Sequence, residues 1–400
     1  MNASTTTSRT VEEILTAVGE LRSSLASGVA EAELVRRLPY DSVEALRASG
    51  LTFLRVPTLY GGPGATLPDL FGAVITIATA DPNLAQGLRS HFGFVEGLLL
   101  RASQADRERW LPEVLAGRIF GLAEAELGVN DPTQWRTTLA PDAVGTLRLN
   151  GRKYYSTGSL FADWIEVVAV DTAGRLTSVV VPSDRAGVEL IDDFDGMGQR
   201  ATASGTTVFT DVAVHPGEIL HGTDFTDSDR PFNYHGGFYQ LYLASVTAGI
   251  ARNVFDDATT YVRTKARVAN HSVAASPSED PYVLEAVGEI GALAFAAESV
   301  VAHAAQRLEL AASPGAAEET VIAAAIDVAK TQLVASRAAM EAAERIFETG
   351  GASATSSALN FSRHWRNART IASHNPLAYK ARATGDYAVN HSTPPKNGYF

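Results

Sequence analysis

Residues 146–159 read Thr146-Leu147-Arg148-Leu149-Asn150-Gly151-Arg152-Lys153-Tyr154-Tyr155-Ser156-Thr157-Gly158-Ser159. The run opens on alternating apolar and polar residues, meets an Asn-Gly pair that reads as a turn, and resumes in Tyr and Thr, which is strand rather than helix texture. The same texture extends from about Phe120 to Val214, in Trp164 to Val170, Leu176 to Val181 and Thr206 to Phe209. Thr172-Ala173-Gly174 and Ser183 to Gly187 supply further turns. Alternation this close leaves no room for a helix of normal length, so the block reads as an antiparallel β domain.

Both flanks are helical. Upstream, Ile14, Leu15, Val18, Leu21 and Leu25 recur at helical spacing, and Asp41 or Ser42 stands ready to cap the next helix. Asp81-Pro82-Asn83 forms a capped junction, Ser103 to Leu115 is amphipathic, and Tyr60-Gly61-Gly62-Pro63-Gly64 must be a loop. Downstream, Val283, Val287, Ile290, Leu293, Ala297 and Val300 step by threes and fours, as do Ile322, Ile326, Ala329, Leu333, Ser336, Met340, Ala343 and Phe347. These stripes predict helices of roughly 30 residues packed as a bundle. Linker-like material is confined to Asp224–Arg230, Ser276–Asp280 and Ala312–Ala317. The expected class is α+β and mainly α: a helical domain over 1–118, a β domain over 119–214 and a helical bundle over 215–400.

Among the 400 residues, 33 basic against 45 acidic side chains give a formal net charge of −12. That balance argues against binding nucleic acid or an anionic membrane surface, both of which need a positive face. Cysteine is absent, which excludes disulfides, thiolate metal sites and a cysteine nucleophile, and fits a cytoplasmic setting. Met1 to Thr10 lacks the cationic and apolar parts of a signal peptide, and no long apolar run follows, so no membrane targeting is expected. Nine histidines without tight spacing predict no metal site. Glu124, Glu126, Glu318 and Glu319 read as solvated faces or helix starts.

Five segments, in order, resemble the acyl-CoA dehydrogenase fold family. They are Leu54-Arg55-Val56-Pro57 with Tyr60 to Gly64, Gly151 to Ser159 with Ala162-Asp163, Gly196 to Arg200, Ser204-Gly205-Thr206 with Phe209 to Val212, and Ala248 to Arg252. The resemblance implies that fold over nearly the whole chain. It also exposes a departure: the carboxylate base of the dehydrogenases is missing, because no Asp or Glu lies between Glu348 and Asp386. The alternative base position, on the helix after the β domain, carries Gln240. Without that proton acceptor, desaturation of an acyl thioester loses its first step.

In its place, Trp365 to Thr370, His374-Asn375-Pro376 and Tyr379-Lys380 resemble the C-terminal signature of the dibenzothiophene monooxygenase group. The resemblance implies a flavin monooxygenase that takes reduced FMN from a separate NAD(P)H-dependent flavin reductase and adds O2 at the flavin C4a. One oxygen atom then passes to a small organosulfur or heteroaromatic substrate. It further implies a homotetramer. Amine-oxidising relatives share the scaffold, so S-, N- and C-oxygenation stay open. An FAD-dependent dehydrogenase with another base and a catalytically silent homologue are the rival readings.

The same resemblance places His374 near the flavin as a proton donor or acceptor, His91 as a second catalytic histidine, and Ser159 as a hydroxyl on the flavin. It assigns Asn130, Tyr155, Thr157, Gly158 and Ser159 to one edge of the cofactor, with Thr133-Gln134-Trp135 as a lid. Arg267 pairs with the FMN phosphate across a subunit boundary, with Arg263 as its rival. Gly351, Ala352 and Ser353 form a cofactor-side loop, although the group tends to carry an arginine where Ser353 stands.

Overall fold

Helix ends in the first third of the chain are set by side chains that satisfy free backbone N–H groups. In the computed structural model, which describes residues 9–100, 102–129, 134–220, 232–313, 315–395 and 400, Thr10 and Glu13 form a capping box at α1 (Val11–Ala26). Thr66 with Asp69 does the same for α4 (Leu67–Ala80), and Ser103 with Asp106 for α7 (Gln104–Leu115). Between them lie α2 (Val29–Leu34), α3 (Tyr40–Ser49), α5 (Pro82–Gly87), capped by Asp81, and α6 (Arg89–Leu100). The expected cap at Asp41 or Ser42 is not used: α3 begins one residue earlier, behind Pro39, with no side-chain cap.

Among the described residues seven strands follow: β1 (Phe120–Ala123), β2 (Thr138–Pro141), β3 (Leu147–Lys153), β4 (Trp164–Val170), β5 (Leu176–Pro182), β6 (Val188–Ile191) and β7 (Thr206–Val214). The expectation of an antiparallel sheet is corrected: β1 runs parallel to β4, and Thr138 of β2 also meets Val170 in parallel, while the other pairs are antiparallel. Parallel pairing needs a long connection, which the segment between β1 and β4, containing the β2–β3 hairpin, provides. Asn150-Gly151 is not a turn. It lies within β3 at an irregularity in the pairing with β7, where a Cβ on Gly151 would come 2.4 Å from Thr137 Oγ1. Glu126 is likewise not a solvated face, because it pairs at 3.1 Å with Lys153, itself 0% exposed.

The rest is helical: α8 (Phe232–Thr264), α9 (Pro281–Ala312) behind its Asp280 cap, α10 (Glu318–Arg345), α11 (Ser362–Ala372) and α12 (Leu377–Asn390). The Asp224–Arg230 linker lies outside the described residues. Ile290, Ala294, Ala297 and Val301 of α9 and Ala335, Ala339 and Ala342 of α10 are buried in one apolar core with α4 and α8. Small residues let these helices approach closely: a Cβ on Gly249 of α8 would stand 2.4 Å from Ala78 of α4. A second core fills the sheet, and a third, with Phe94 stacked 4.1 Å from Phe120, joins α6 and α7 to β1. Helix α8 thus runs from the sheet-side helices to the far end of the bundle. Among the described residues no helix is long and apolar enough to cross a membrane.

Candidate active site

The segment Tyr155 to Phe161 turns sharply because two residues take left-handed backbone angles, Tyr155 at φ 55° and Gly158 at φ 77°. Gly158 has no alternative there, since a Cβ would lie 2.4 Å from the Gly87 carbonyl at the end of α5. The turn is pinned from below: Thr157 Oγ1 meets Ser204 Oγ at 2.9 Å, and the Gly158 N–H donates to the Thr202 carbonyl at 3.2 Å. Asp163 holds the exit of the turn by accepting from the Ile119 N–H at 2.8 Å and Arg47 at 2.7 Å. Burial opposes its charge, but those donors keep the carboxyl below its ordinary range.

Ser159 sits at the centre of this arrangement. Its hydroxyl is buried against Gly121 of β1, where a Cβ would approach it to 2.7 Å, and it has no hydrogen-bonding partner among the described residues. The Ser156 hydroxyl is in the same condition. Buried hydroxyls of this kind call for a partner, so the turn fits a polar ligand edge. Tyr155 stands more than half exposed at the mouth, edge-on to Phe194 at 6.2 Å.

His374, between α11 and α12, meets Arg89 at the start of α6 across 3.4 Å, Nε2 to Nη2. Arg89 in turn lies over the Tyr239 ring of α8 at 5.4 Å. Gly93, one turn further along α6, makes room for that ring, since a Cβ there would strike the Tyr239 hydroxyl. His374 is exposed. The surrounding protein and the Arg89 charge, with Lys380 behind it, hold the imidazole well below its usual range, so it is neutral at pH 7. Burial brings the Lys380 ammonium down to about 7.

His91 is placed differently from the expectation of a second catalytic histidine. It is 0% exposed, its Nε2 lies 2.6 Å from the Thr52 carbonyl, and its Nδ1 accepts from the Phe120 N–H at 3.3 Å. With both nitrogens committed to backbone and burial lowering its pKa to about 4, it ties α6 to β1 and has no site for proton exchange.

Arg267 and the 351–353 loop lie elsewhere. Gly350 packs on the ring of Tyr261, near the C-terminal end of α8, where Arg263 and Arg267 are exposed. Tyr261 is about 33 Å along α8 from Tyr239 at 1.5 Å rise per residue. One chain therefore holds Arg267, Gly351, Ala352 and Ser353 at the end of α8 remote from Tyr239, Arg89 and His374. Asn130 and Thr133 lie outside the described residues. Among the described residues no group of three His, Cys, Asp or Glu comes together as metal ligands.

Sequence reasoning missed Arg89 and Gln332. The one arginine in the largely apolar stretch from Leu84 to Leu100, two residues before His91, was the available signal for the first. Gln332 had none, because it is one polar residue on a long helix and gains meaning only from its 2.9 Å contact with Gln240.

A helical domain, a sheet of seven strands and a long-helix bundle among the described residues, with the Ser159 turn packed on Gly87 and His374 meeting Arg89 two residues further on, define an acyl-CoA dehydrogenase-type architecture. Models of that family match the N-terminal domain over residues 10–118, the middle domain over 120–212 and the C-terminal domain over 241–379. Dibenzothiophene monooxygenase of Mycolicibacterium goodii is 33% identical over 88% of this chain and 87% of its own. The structure of TdsC from Paenibacillus sp. A11-2 with FMN and indole superposes with a TM-score of 0.89 at 32% identity, covering 97% of this chain and 99% of that one. Methanesulfinate monooxygenase MsuC of Pseudomonas fluorescens gives 0.86 at 30% identity, covering 96% and 99%. The chain belongs to the dibenzothiophene monooxygenase family.

Proposed function

We propose that this chain is a monooxygenase that uses reduced FMN and O2 to oxygenate a small organosulfur or heteroaromatic compound. The single observation that carries the reading is that Gln240, and not a carboxylate, occupies the alternative base position on α8. At the alternative base position Gln240 accepts from Asn375 at 2.7 Å and from Gln332 at 2.9 Å, which makes it a structural amide. Bound reduced FMN supplies two electrons and two protons, so that one atom of O2 enters the substrate and the other leaves as water.

The chain's own groups serve that reaction in separable ways. Ser159 and Ser156 offer hydroxyls that lack protein partners to the polar edge of the cofactor. His374, exposed and neutral, takes up a proton at Nε2 when the Arg89 contact there yields. Arg267, exposed and without an ion-pair partner among the described residues, offers a bidentate clamp to a phosphate held by another copy in a homotetramer. Its distance from Arg89 and His374 within one chain supports that assignment. A separate NAD(P)H-dependent reductase in the cytoplasm supplies the reduced flavin.

The test is to mix the purified chain anaerobically with reduced FMN, admit O2, and follow product and peroxide with a panel of thioethers, sulfinates, thiophenes, indole and amines. Oxygenated product supports the reading, and the panel assigns S-, N- or C-oxygenation. Reoxidation of flavin entirely to peroxide with every compound, together with bleaching of bound flavin by acyl-CoA thioesters, would replace it with a dehydrogenase.

A further inference from the structure

Arg89 and His374 are 285 residues apart in sequence and meet through Nη2 and Nε2 at 3.4 Å. A guanidinium has donors only, so Nε2 of His374 must accept, and the proton of the neutral ring then sits on Nδ1. The ring also hydrogen-bonds the side chain of Asn375, and with Nε2 already accepting from Arg89 the group left to make that contact is the Nδ1–H donor. Asn375 can accept that proton because its amide is oriented from the other side: its Nδ2 donates to Gln240 Oε1 at 2.7 Å. Gln240 is oriented in turn, since the same oxygen takes a second hydrogen bond from Gln332 Nε2 at 2.9 Å. All three amides are buried. The donors therefore run in one consistent direction, from Gln332 to Gln240, from Asn375 to Gln240, and from the ring to Asn375.

We propose that Arg89, directly, and Gln240, through Asn375, are positioning residues that hold His374 from opposite sides and fix it as the neutral Nδ1–H tautomer, with Nε2 accepting from Arg89. A ring held this way takes up a proton at Nε2 only when Arg89 yields that contact, and it does not stand ready as an acid. The charges acting on it are Arg89, from the junction of α5 and α6, and Lys380, from α12. Tyr239 lies beneath Arg89 on α8, with His235 packed against that ring at 4.9 Å. Both cations disfavour a charged imidazole. The catalytic part of the inference rests on the oxygenase reading, whereas the tautomer does not.

The experiment is ¹⁵N spectroscopy of the full chain labelled in histidine and purified without flavin, with the His374 signals assigned from a His374→Gln spectrum. The expected result at pH 7 is the Nδ1–H form, with the His374 titration in Arg89→Gln moved up by about one pH unit, a tenfold gain in proton affinity. Gln240→Glu, which keeps an acceptor for both amides, retains the tautomer, and Gln240→Met gives a mixture. In turnover, the acid limb of the kcat profile moves up with Arg89→Gln. An Nε2–H ring in the unmodified chain, or a titration unmoved in Arg89→Gln, overturns the proposal, and the first of these needs no variant to fold. Because no flavin is present, a correct tautomer in a chain that makes no oxygenated product would count against the function and not against the positioning of the ring.

Discussion

Nδ2 of Asn375 donates to Oε1 of Gln240 across 2.7 Å, joining the segment after α11 to the N-terminal half of α8. Gln240 stands at the position where the sequence resemblance looked for an alternative base, and its carbonyl oxygen accepts from two buried amides. In Gln240→Leu the buried Asn375 and Gln332 N–H groups both lose their acceptor, at about 1–3 kcal/mol for each group left unsatisfied. Urea unfolding should show that loss, with Gln240→Glu closer to the parent. Equal midpoints for Gln240→Leu and the parent would mean that water replaces the amide at no cost.

His91 makes stability fall on acidification. Burial holds its folded pKa at about 4 against 6.5 for the free side chain, so between those values the unfolded chain binds the extra proton. The contribution is fully present above pH 6.5 and is lost as the pH drops toward 4, at most about 3 kcal/mol at 1.36 kcal/mol per unit. In His91→Gln an amide can still donate to the Thr52 carbonyl and accept from the Phe120 N–H. Denaturant titrations at pH 7 and pH 5 should show a smaller drop for this variant than for the parent. An identical drop would exonerate His91.

The order of helical domain, sheet and bundle was legible because burial imposes period on sequence: the stripe read from Val283 to Val300 marked a helix, although of its members only Ile290 and Ala297 are buried and the covered face runs through Ala294 and Val301 beside them. The parallel pairing of β1 with β4 was not legible. Phe120 to Ala123 is short and apolar throughout, and nothing in it names its partner. Asn150-Gly151 misled because the pair that favours a hairpin turn also suits a bulge, and the close approach of Thr137 that decides between them is a tertiary fact. In the site, motif order pointed to the Ser159 turn and His374, whereas Arg89 and Gln332 depended on pairings across 285 and 92 residues.

Lys153 belongs to one of the motif segments and is wholly buried, donating to the Glu124 carbonyl at 2.8 Å and to Glu126 at 3.1 Å. Glu126 also accepts from the backbone N–H groups of Arg136 and Thr137. Lys153→Met leaves that carboxylate buried without its cation, which costs about 3–5 kcal/mol. Lys153→Met combined with Glu126→Gln should recover part of the loss. A double variant no more stable than the single one would show that the backbone contacts of Glu126, and not its charge, dominate.

His374→Ala removes the acceptor beside Arg89 while leaving the Ser159 turn untouched. Flavin affinity should stay within about twofold, a change below 0.5 kcal/mol. Oxygen consumption should shift from product to peroxide, read as the peroxide-to-product ratio at fixed reduced FMN. An unchanged ratio would remove His374 from the chemistry.

Arg267 offers a sharper division between binding and folding. It is exposed and forms no ion pair among the described residues, so Arg267→Ala should leave the melting temperature within the scatter of neutral surface changes. If it clamps a phosphate presented by another copy, the lost charged hydrogen bonds are worth about 1.5–3 kcal/mol, or roughly ten- to a hundredfold in FMN affinity. Riboflavin, which has no phosphate, should bind parent and variant alike. Arg263→Ala separates the two arginines, and a mixture of Arg267→Ala subunits with Ser159→Ala subunits tests the exchange between copies. Assemblies pairing a sound Ser159 turn with a sound Arg267 from a different chain should regain tight FMN sites that neither variant has alone. No regain, with mixing verified by mass, would place the phosphate contact within one chain or on another side chain.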